Sequence, residues 1–417
     1  PYRPGMDERI EDLPPPTLVE SAAEFERLLE AAEADAAIAV DTEADSFFSY
    51  RDKVCLIQVT AGGEDWLVDP FADLDVGRLG PVLEDPNTVK VFHDAEYDVL
   101  ILRREYGFRF RGLFDTRVAA AVLGSQTPGL ASVLEEEFGV RLDKSQQRSD
   151  WAQRPLSDKQ VAYARLDTRF LLPLMERQRA ALDEQGRAMI VESECRRLEA
   201  LDPPPAEAHP DDFVKIKGAR SLDPAGASAL RELHAMREKL AERHDIPPFR
   251  VLGNKALLQV AERRPRSDRD LLRIDGITQR VLTRLGDRVR RALERAERNG
   301  PIDRLPAAPR RGDHVALDEL ASELHERLKR LRRDVATEER IESSYLLHRT
   351  ALQHLAVAAP EDRAALEGLD LLEGWQLDLF ADDVLDVVRR FKEDVARGAV
   401  PARRRSRRGR GRGGRRR

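Results

Sequence analysis

Four carboxylates and one tyrosine, spread over 127 positions, are the residues of this sequence best suited to do chemistry. Asp41 and Glu43 flank Thr42 directly after the apolar run Ala37-Ile38-Ala39-Val40. On extended backbone, the i, i+2 spacing turns both carboxylates to one face and Thr42 to the other. Such a pair also suits a solvated strand end, so its meaning depends on what joins it. Asp98 closes the segment His93-Asp94-Ala95-Glu96-Tyr97-Asp98, where an apolar strand enters a helix. Asp94 can cap that helix, Asp94 and Asp98 share a helical face, and on pattern either could be a metal ligand. Acids there also complement the helix dipole. Tyr163 and Asp167 are four apart on a helical stretch and therefore on one side of it. Brought together, four acids repel unless cations neutralise them. Hard oxygen donors suit magnesium or manganese, and paired divalent ions in such a cage cleave phosphodiesters. A phenol with a pKa of about 10 is a poor base at neutral pH, so Tyr163 is better placed to orient a water than to deprotonate it.

Secondary-structure elements must deliver these side chains. Ser21 can cap a helix running to about Ala32, with Leu18, Phe25, Leu28 and Leu29 on its apolar side. Short apolar runs predict strands at Ala37–Asp41, Val54–Thr60, Trp66–Asp69 and Val89–His93. Helices are predicted at Ala95–Tyr106, Thr116–Leu123, Leu130–Phe138 and Ser157–Gln185. Strands first, then mixed α and β, imply a mixed sheet flanked by helices. Past Leu201-Asp202-Pro203-Pro204-Pro205 the pattern is almost wholly helical.

Two helical regions follow, and they look like a diverged duplication. Ala256-Leu257-Leu258-Gln259-Val260-Ala261 resembles Ala351-Leu352-Gln353-His354-Leu355-Ala356, and Ile274-Asp275-Gly276 is echoed by Leu372-Glu373-Gly374. The first region, 223–300, carries 18 basic and 12 acidic side chains; the second, 313–395, carries 11 and 20. The expected organisation is a disordered segment 1–16, an α/β domain 17–200, a linker 201–222, a helical domain 223–300, a linker 301–312, a second helical domain 313–395 and a disordered tail 396–417.

At 417 residues the chain needs more than one core. No apolar stretch approaches the length of a membrane span, and Pro1 to Pro16 show no signal-peptide pattern. Two cysteines, Cys55 and Cys195, make no disulfide framework, and a cytoplasmic protein with buried free thiols is expected. Ten of the last fifteen residues are arginine and none is acidic, which makes a basic tail on an acidic body. Neither clustered histidines nor paired cysteines suggest zinc. No phosphate-cradling glycine loop implies a nucleotide triphosphate.

The order and surroundings of the acid motifs resemble those of the ribonuclease D family, on the tyrosine-bearing branch of the DEDD exonucleases. Asp41-Thr42-Glu43 matches the first motif, His93 to Asp98 the second, and Tyr163 three residues before Asp167 the third. Further similarity lies in Leu56-Ile57-Gln58, in Leu113-Phe114-Asp115-Thr116 and in the run Lys144 to Ser157. The resemblance selects Asp98 over Asp94. It implies a ribonuclease H-like α/β exonuclease domain followed by two all-α HRDC-like domains. Ile246-Pro247-Pro248 and Ile274-Asp275-Gly276 carry the HRDC match, and the second copy lacks a counterpart of Ile246-Pro247-Pro248.

It further implies that Asp41, Glu43, Asp98 and Asp167 hold two divalent cations, Mg2+ or Mn2+, roughly 3.5–4 Å apart, while Tyr163 positions the water. Hydrolysis from the 3′ end would release nucleoside 5′-monophosphates. The expected partner is structured precursor RNA with a 3′ extension, transfer RNA above all, bound by a monomer. The candidate contacts to nucleic acid are His93, then Arg263, Arg264, Arg266, Arg269 and Arg273 in the first helical region. Arg403, Arg404, Arg405, Arg407 and Arg408 join them in the tail. His93 equally suits a structural role, and the tail could instead fold back on the acidic third region. A catalytically inactive RNA-binding adaptor and an exonuclease acting on DNA are the alternative readings.

Overall fold

A computed structural model describes residues 13–203, 209–306 and 315–400. The tail arginines from Arg403 onward and most of the segment 1–16 lie outside the described residues. The described chain divides into two compact units. One combines the α/β region with the first helical module; the other holds the second helical module together with residues 118–128 and 178–194.

The sheet has six strands in the order β1-β4-β3-β2-β5-β6. They are β1 (Thr17–Val19), β2 (Ala37–Ala44), β3 (Val54–Ala61), β4 (Glu64–Val68), β5 (Val89–Phe92) and β6 (Leu113–Asp115). β2, β3 and β4 form an antiparallel meander, while β1 runs parallel to β4, and β5 parallel to both β2 and β6. Every residue of β3 is buried, which explains why it is apolar apart from Gln58 and Thr60: a strand covered on both faces needs no polar alternation. Gly62 and Gly63 both have positive φ, 62° and 79°, and allow the two-residue turn that reverses β3 into β4. β1 and β6 were not among the expected strands, because three residues are too few to show a period. Leu18 therefore sits on β1 and not on the helix that follows.

That helix, α1 (Ala22–Ala34), begins at Ser21 with a full capping box to Glu24. Next come α2 (Gly80–Glu84), α3 (Glu96–Tyr106), α4 (Thr116–Val122), α5 (Leu130–Phe138) and α6 (Asp158–Arg169), followed by α7 (Leu171–Glu184) and α8 (Ala188–Glu199). The single helix expected over Ser157–Gln185 is thus two, parted at Phe170. Pro173 is the physical reason: it has no N–H and clashes with the preceding turn of a continuous helix, but it is tolerated in the first turn of a new one.

The first helical module comprises α9 (Pro224–Arg243), α10 (Pro248–Val251), α11 (Asn254–Arg263), α12 (Asp268–Leu271) and α13 (Gln279–Asn299). The second repeats the series as α14 (Glu319–Glu339), α15 (Ser343–Leu346), α16 (Arg349–Ala358), α17 (Arg363–Glu367) and α18 (Gly374–Ala396). Left-handed residues Asp245 and Arg264 recur as Arg340 and Ala359, and the helix caps Thr278 and Glu373 keep the same spacing, which ties the duplication to backbone geometry; Leu372-Glu373-Gly374 therefore does not stand where Ile274-Asp275-Gly276 does. The short helix after Ile246-Pro247 has a counterpart in α15, although the prolines are gone. The stretch 201–222 is not all connector: Phe213, Val214, Ile216 and Ala219 belong to the core of the first module.

Candidate active site

β2 carries Asp41 and Glu43 to one side of the sheet, and α6 lays Tyr163 and Asp167 across that side. Asp41, Glu43 and Asp167 each contribute a carboxylate oxygen to a group whose members lie within 4.8 Å of one another. Asp98, in the first turn of α3, is 5% exposed, and its Oδ1 accepts a hydrogen bond from the Thr42 hydroxyl. It stands outside the three-oxygen group, yet its charge acts directly on Asp41 and Asp167. Asp94 takes no such place. It is an exposed residue at φ 69°, facing Arg117 at 3.5 Å, and it does not cap α3. Asp115 holds the turn that leads into α3, accepting the backbone N–H groups of Asp94 and Ala95 at 3.0 and 2.8 Å.

The electrostatics of the cluster are those of a site short of positive charge. Burial, then the charges of Asp98, Asp167 and Glu43, push Asp41 well above the usual carboxylate range. Burial with Asp167 and Asp98 raises Glu43 to about 9. Asp98 rises to about 7, mainly by burial and against the pull of the Thr42 hydrogen bond. Asp167 is raised well above its usual range by burial and by Asp98, and its Oδ2 is buried without a hydrogen-bond partner. An orphaned carboxylate oxygen among mutually repelling acids fits a hard divalent cation. Tyr163 is pushed above its ordinary value by burial and then by Asp167, Glu43 and Asp41, which keeps the phenol protonated.

The long segment before α6 holds the tyrosine in place. Trp151 lies 5.9 Å from the Tyr163 ring, centre to centre, and is packed with Cys55, Leu56, Leu67 and Ala164. Arg154 forks onto Asp69 at 2.6 and 2.8 Å and also donates to the carbonyls of Trp151 and Cys55. On α6 itself, Arg165 meets Asp65 of β4 at 2.8 Å, both nearly fully buried. Sequence reasoning missed this pair, as it missed Thr42 and Asp115. A buried-strand acid with an arginine two residues before a candidate ligand was the available cue, and nothing in spacing joined them.

His93 packs its Nδ1 at 2.9 Å from the Thr116 hydroxyl, which itself donates to the Phe92 carbonyl. The arginines of the first module are divided. Arg264 forks onto Asp223, Arg273 faces Asp270, and Arg263 donates to the Arg273 carbonyl. Arg266 and Arg269 are exposed.

Comparison with known proteins gives the same architecture. A family described as 3'-5' exonuclease matches residues 16–182, and the HRDC domain family matches residues 227–293 and 321–388. The ribonuclease D of Gluconacetobacter diazotrophicus is 30% identical over 380 residues, covering 89% of this chain and 92% of that protein. That of Sphingobium indicum is 32% identical over 362 residues, covering 84% and 89%. The chain belongs to the ribonuclease D family. The crystal structure of Escherichia coli RNase D, an exoribonuclease involved in structured RNA processing, is similar at TM-score 0.64 and 25% identity. It covers 90% of this chain and 99% of that one. Exoribonuclease activity follows from membership of the ribonuclease D family and from the matched exonuclease domain. The two HRDC matches coincide with the repeated helical series. Among the described residues no helix is long and apolar enough to cross a membrane.

Proposed function

We propose that this ribonuclease D relative is a divalent-metal-dependent enzyme that trims the 3′ ends of structured RNA, transfer RNA precursors in particular. The observation that carries the reading is the meeting of Asp41, Glu43 and Asp167 within 4.8 Å in a largely buried pocket of like charge. Asp41, Glu43, Asp98 and Asp167 would hold the two cations, Mg2+ or Mn2+. A bound pair of divalent ions supplies the charge that lets a water lose its proton near neutral pH and that steadies a departing 3′ oxygen.

The chain's own residues do the rest. Asp41 and Glu43 stand two residues apart on one strand, which turns both carboxylates to the same face. Tyr163, protonated and braced by Trp151, offers a hydroxyl to orient the attacking water. Attack at phosphorus breaks the bond to the 3′ oxygen of the preceding nucleotide, and the terminal residue leaves as a nucleoside 5′-monophosphate. The protein is expected to act as a cytoplasmic monomer, with the exposed arginines and the tail binding phosphates.

End-labelled RNA and single-stranded DNA, each incubated with and without manganese, test the proposal. Stepwise shortening of RNA only when manganese is present is the expected result. Shortening of DNA alone, or binding without shortening, would overturn it.

A further inference from the structure

The loop between β2 and β3 starts two residues after Glu43, and the first HRDC module grips it. All the residues involved belong to the same compact unit. The loop is closed at its base by Asp45, only 4% exposed, whose Oδ1 accepts the Lys53 N–H at 2.7 Å and whose Oδ2 accepts the Ser49 hydroxyl. Its tip is held from α9 and α10. The Tyr50 N–H donates to Asp245 at 3.1 Å, the Tyr50 hydroxyl reaches Glu238 at 3.4 Å, and the Tyr50 ring packs on the core of the HRDC module. Arg250 lies 4.6 Å from the centre of the Phe48 ring. From the opposite side, α3 holds Asp52 through Tyr97 at 2.6 Å and Arg104 at 2.9 Å, and that helix carries Asp98.

The ladder is irregular where the loop joins it. The pairing of β2 with β3 slips between Glu43 and Ala44: Glu43 faces Leu56 but Ala44 faces Val54, leaving Cys55 as the extra residue. A bulge bends its strand and re-aims the neighbouring side chains. The extra residue lies on β3, so regular pairing of β2 ends at Glu43, and the loop that joins the two strands bears on the backbone that carries the Glu43 carboxylate.

We propose that the first HRDC module is a positioning element of the active site, acting through Tyr50 and Asp245 on the 45–53 loop to fix Glu43. The inference rests on the exonuclease reading above. An HRDC module that served only to bind RNA would need no grip on this loop; one that aims a metal ligand does. Asp245 suits its part because it sits at φ 45°, where its short side chain is turned back to the Tyr50 amide.

The test compares the full-length wild type with the Tyr50→Ala/Asp245→Gly double variant and with Tyr50→Phe. Glycine keeps the left-handed backbone at 245 while removing the acceptor. The substrate is a trinucleotide, short enough to engage little beyond the carboxylates. The double variant is expected to lower kcat about tenfold with KM unchanged, since small misplacements of a catalytic group cost rate more than binding. Amide exchange in residues 45–53 should quicken, manganese binding followed by electron paramagnetic resonance should weaken, and Tyr50→Phe should recover most of the loss. Should the double variant fold poorly, Asp245→Gly alone gives the same readouts. Unchanged kcat and unchanged exchange, with only long RNA binding more weakly, would overturn the positioning role. A wild type inactive on every RNA would instead sink the exonuclease reading, while the exchange and manganese measurements would still decide the coupling.

Discussion

Thr60 and Thr168 stand 108 residues apart in sequence and 2.8 Å apart at their hydroxyls, both buried. The contact pins α6 to β3 one residue beyond Asp167. Thr60 also reaches Asp65 at 3.1 Å, and Asp65 holds Arg165 at 2.8 Å with Arg169 at 3.6 Å. The helix that supplies Tyr163 and Asp167 is thus fastened by a polar network on either side of Asp167.

Asp65→Ala should be one of the most damaging substitutions outside the carboxylate cluster. It leaves Arg165 and Arg169 buried without their carboxylate, and breaking a buried pair from one side costs about 3–5 kcal/mol. Urea unfolding of the purified variant reads the loss. A change under about 0.5 kcal/mol, typical of an exposed pair, would show the network to be decorative.

Asp41→Asn removes one negative charge while keeping the shape of the side chain. Activity should fall about a thousandfold, in line with the loss of a single well-placed electrostatic group, while RNA binding persists in a filter assay. In chelator the variant should melt above the wild type, because burial and three neighbouring acids already strain the native carboxylate. Manganese should raise the melting temperature of the wild type more than that of the variant, as ligand binding stabilises in proportion to affinity. Equal gains would remove Asp41 from the ligand set.

The strand pair Asp41 and Glu43 was legible because a period of two fixes which side chains share a face, and Tyr163 with Asp167 because a helical turn does the same. Choosing Asp98 over Asp94 needed family resemblance. The structure supplies the reason afterwards: Asp94 sits in a left-handed turn before the helix, so the shared helical face never forms. The Asp65–Arg165 pair was not legible because its partners are 100 residues apart and only the fold brings them together. The break before α7 was missed because the apolar pattern runs on through it, although Pro173 was its cue. The grip of the HRDC module on Tyr50 leaves no trace in spacing at all.

Lys90 gives a pH dependence separate from the carboxylate cluster. Its ammonium is fully buried on β5, donating to the carbonyls of Asp85 and Thr88 at 2.5 and 2.6 Å, and burial lowers its pKa from 10.5 to about 8. Between those values the unfolded chain holds more protons than the native one, so this group's contribution to stability rises with pH. The unfolding free energy of the wild type, measured against Lys90→Met, should therefore move in favour of the lysine from about pH 8 to about pH 10. A difference that stays flat across this range would mean that the native lysine titrates as it does in water.

Gln58 is the remaining anomaly of the site. It pairs in register with Asp41, is fully buried, and neither atom of its amide has a hydrogen-bond partner. Two unsatisfied polar atoms in a buried strand destabilise by about 1–3 kcal/mol each, and a leucine of similar size would remove that cost. The amide lies on the same face of the sheet as the Asp41 carboxylate, where its N–H group can steady that carboxylate once it is ionised around a cation. Gln58→Leu should accordingly raise the melting temperature in chelator while lowering kcat and weakening manganese binding. A variant that is more stable and equally active would show Gln58 to be a packing residue with no part in the site.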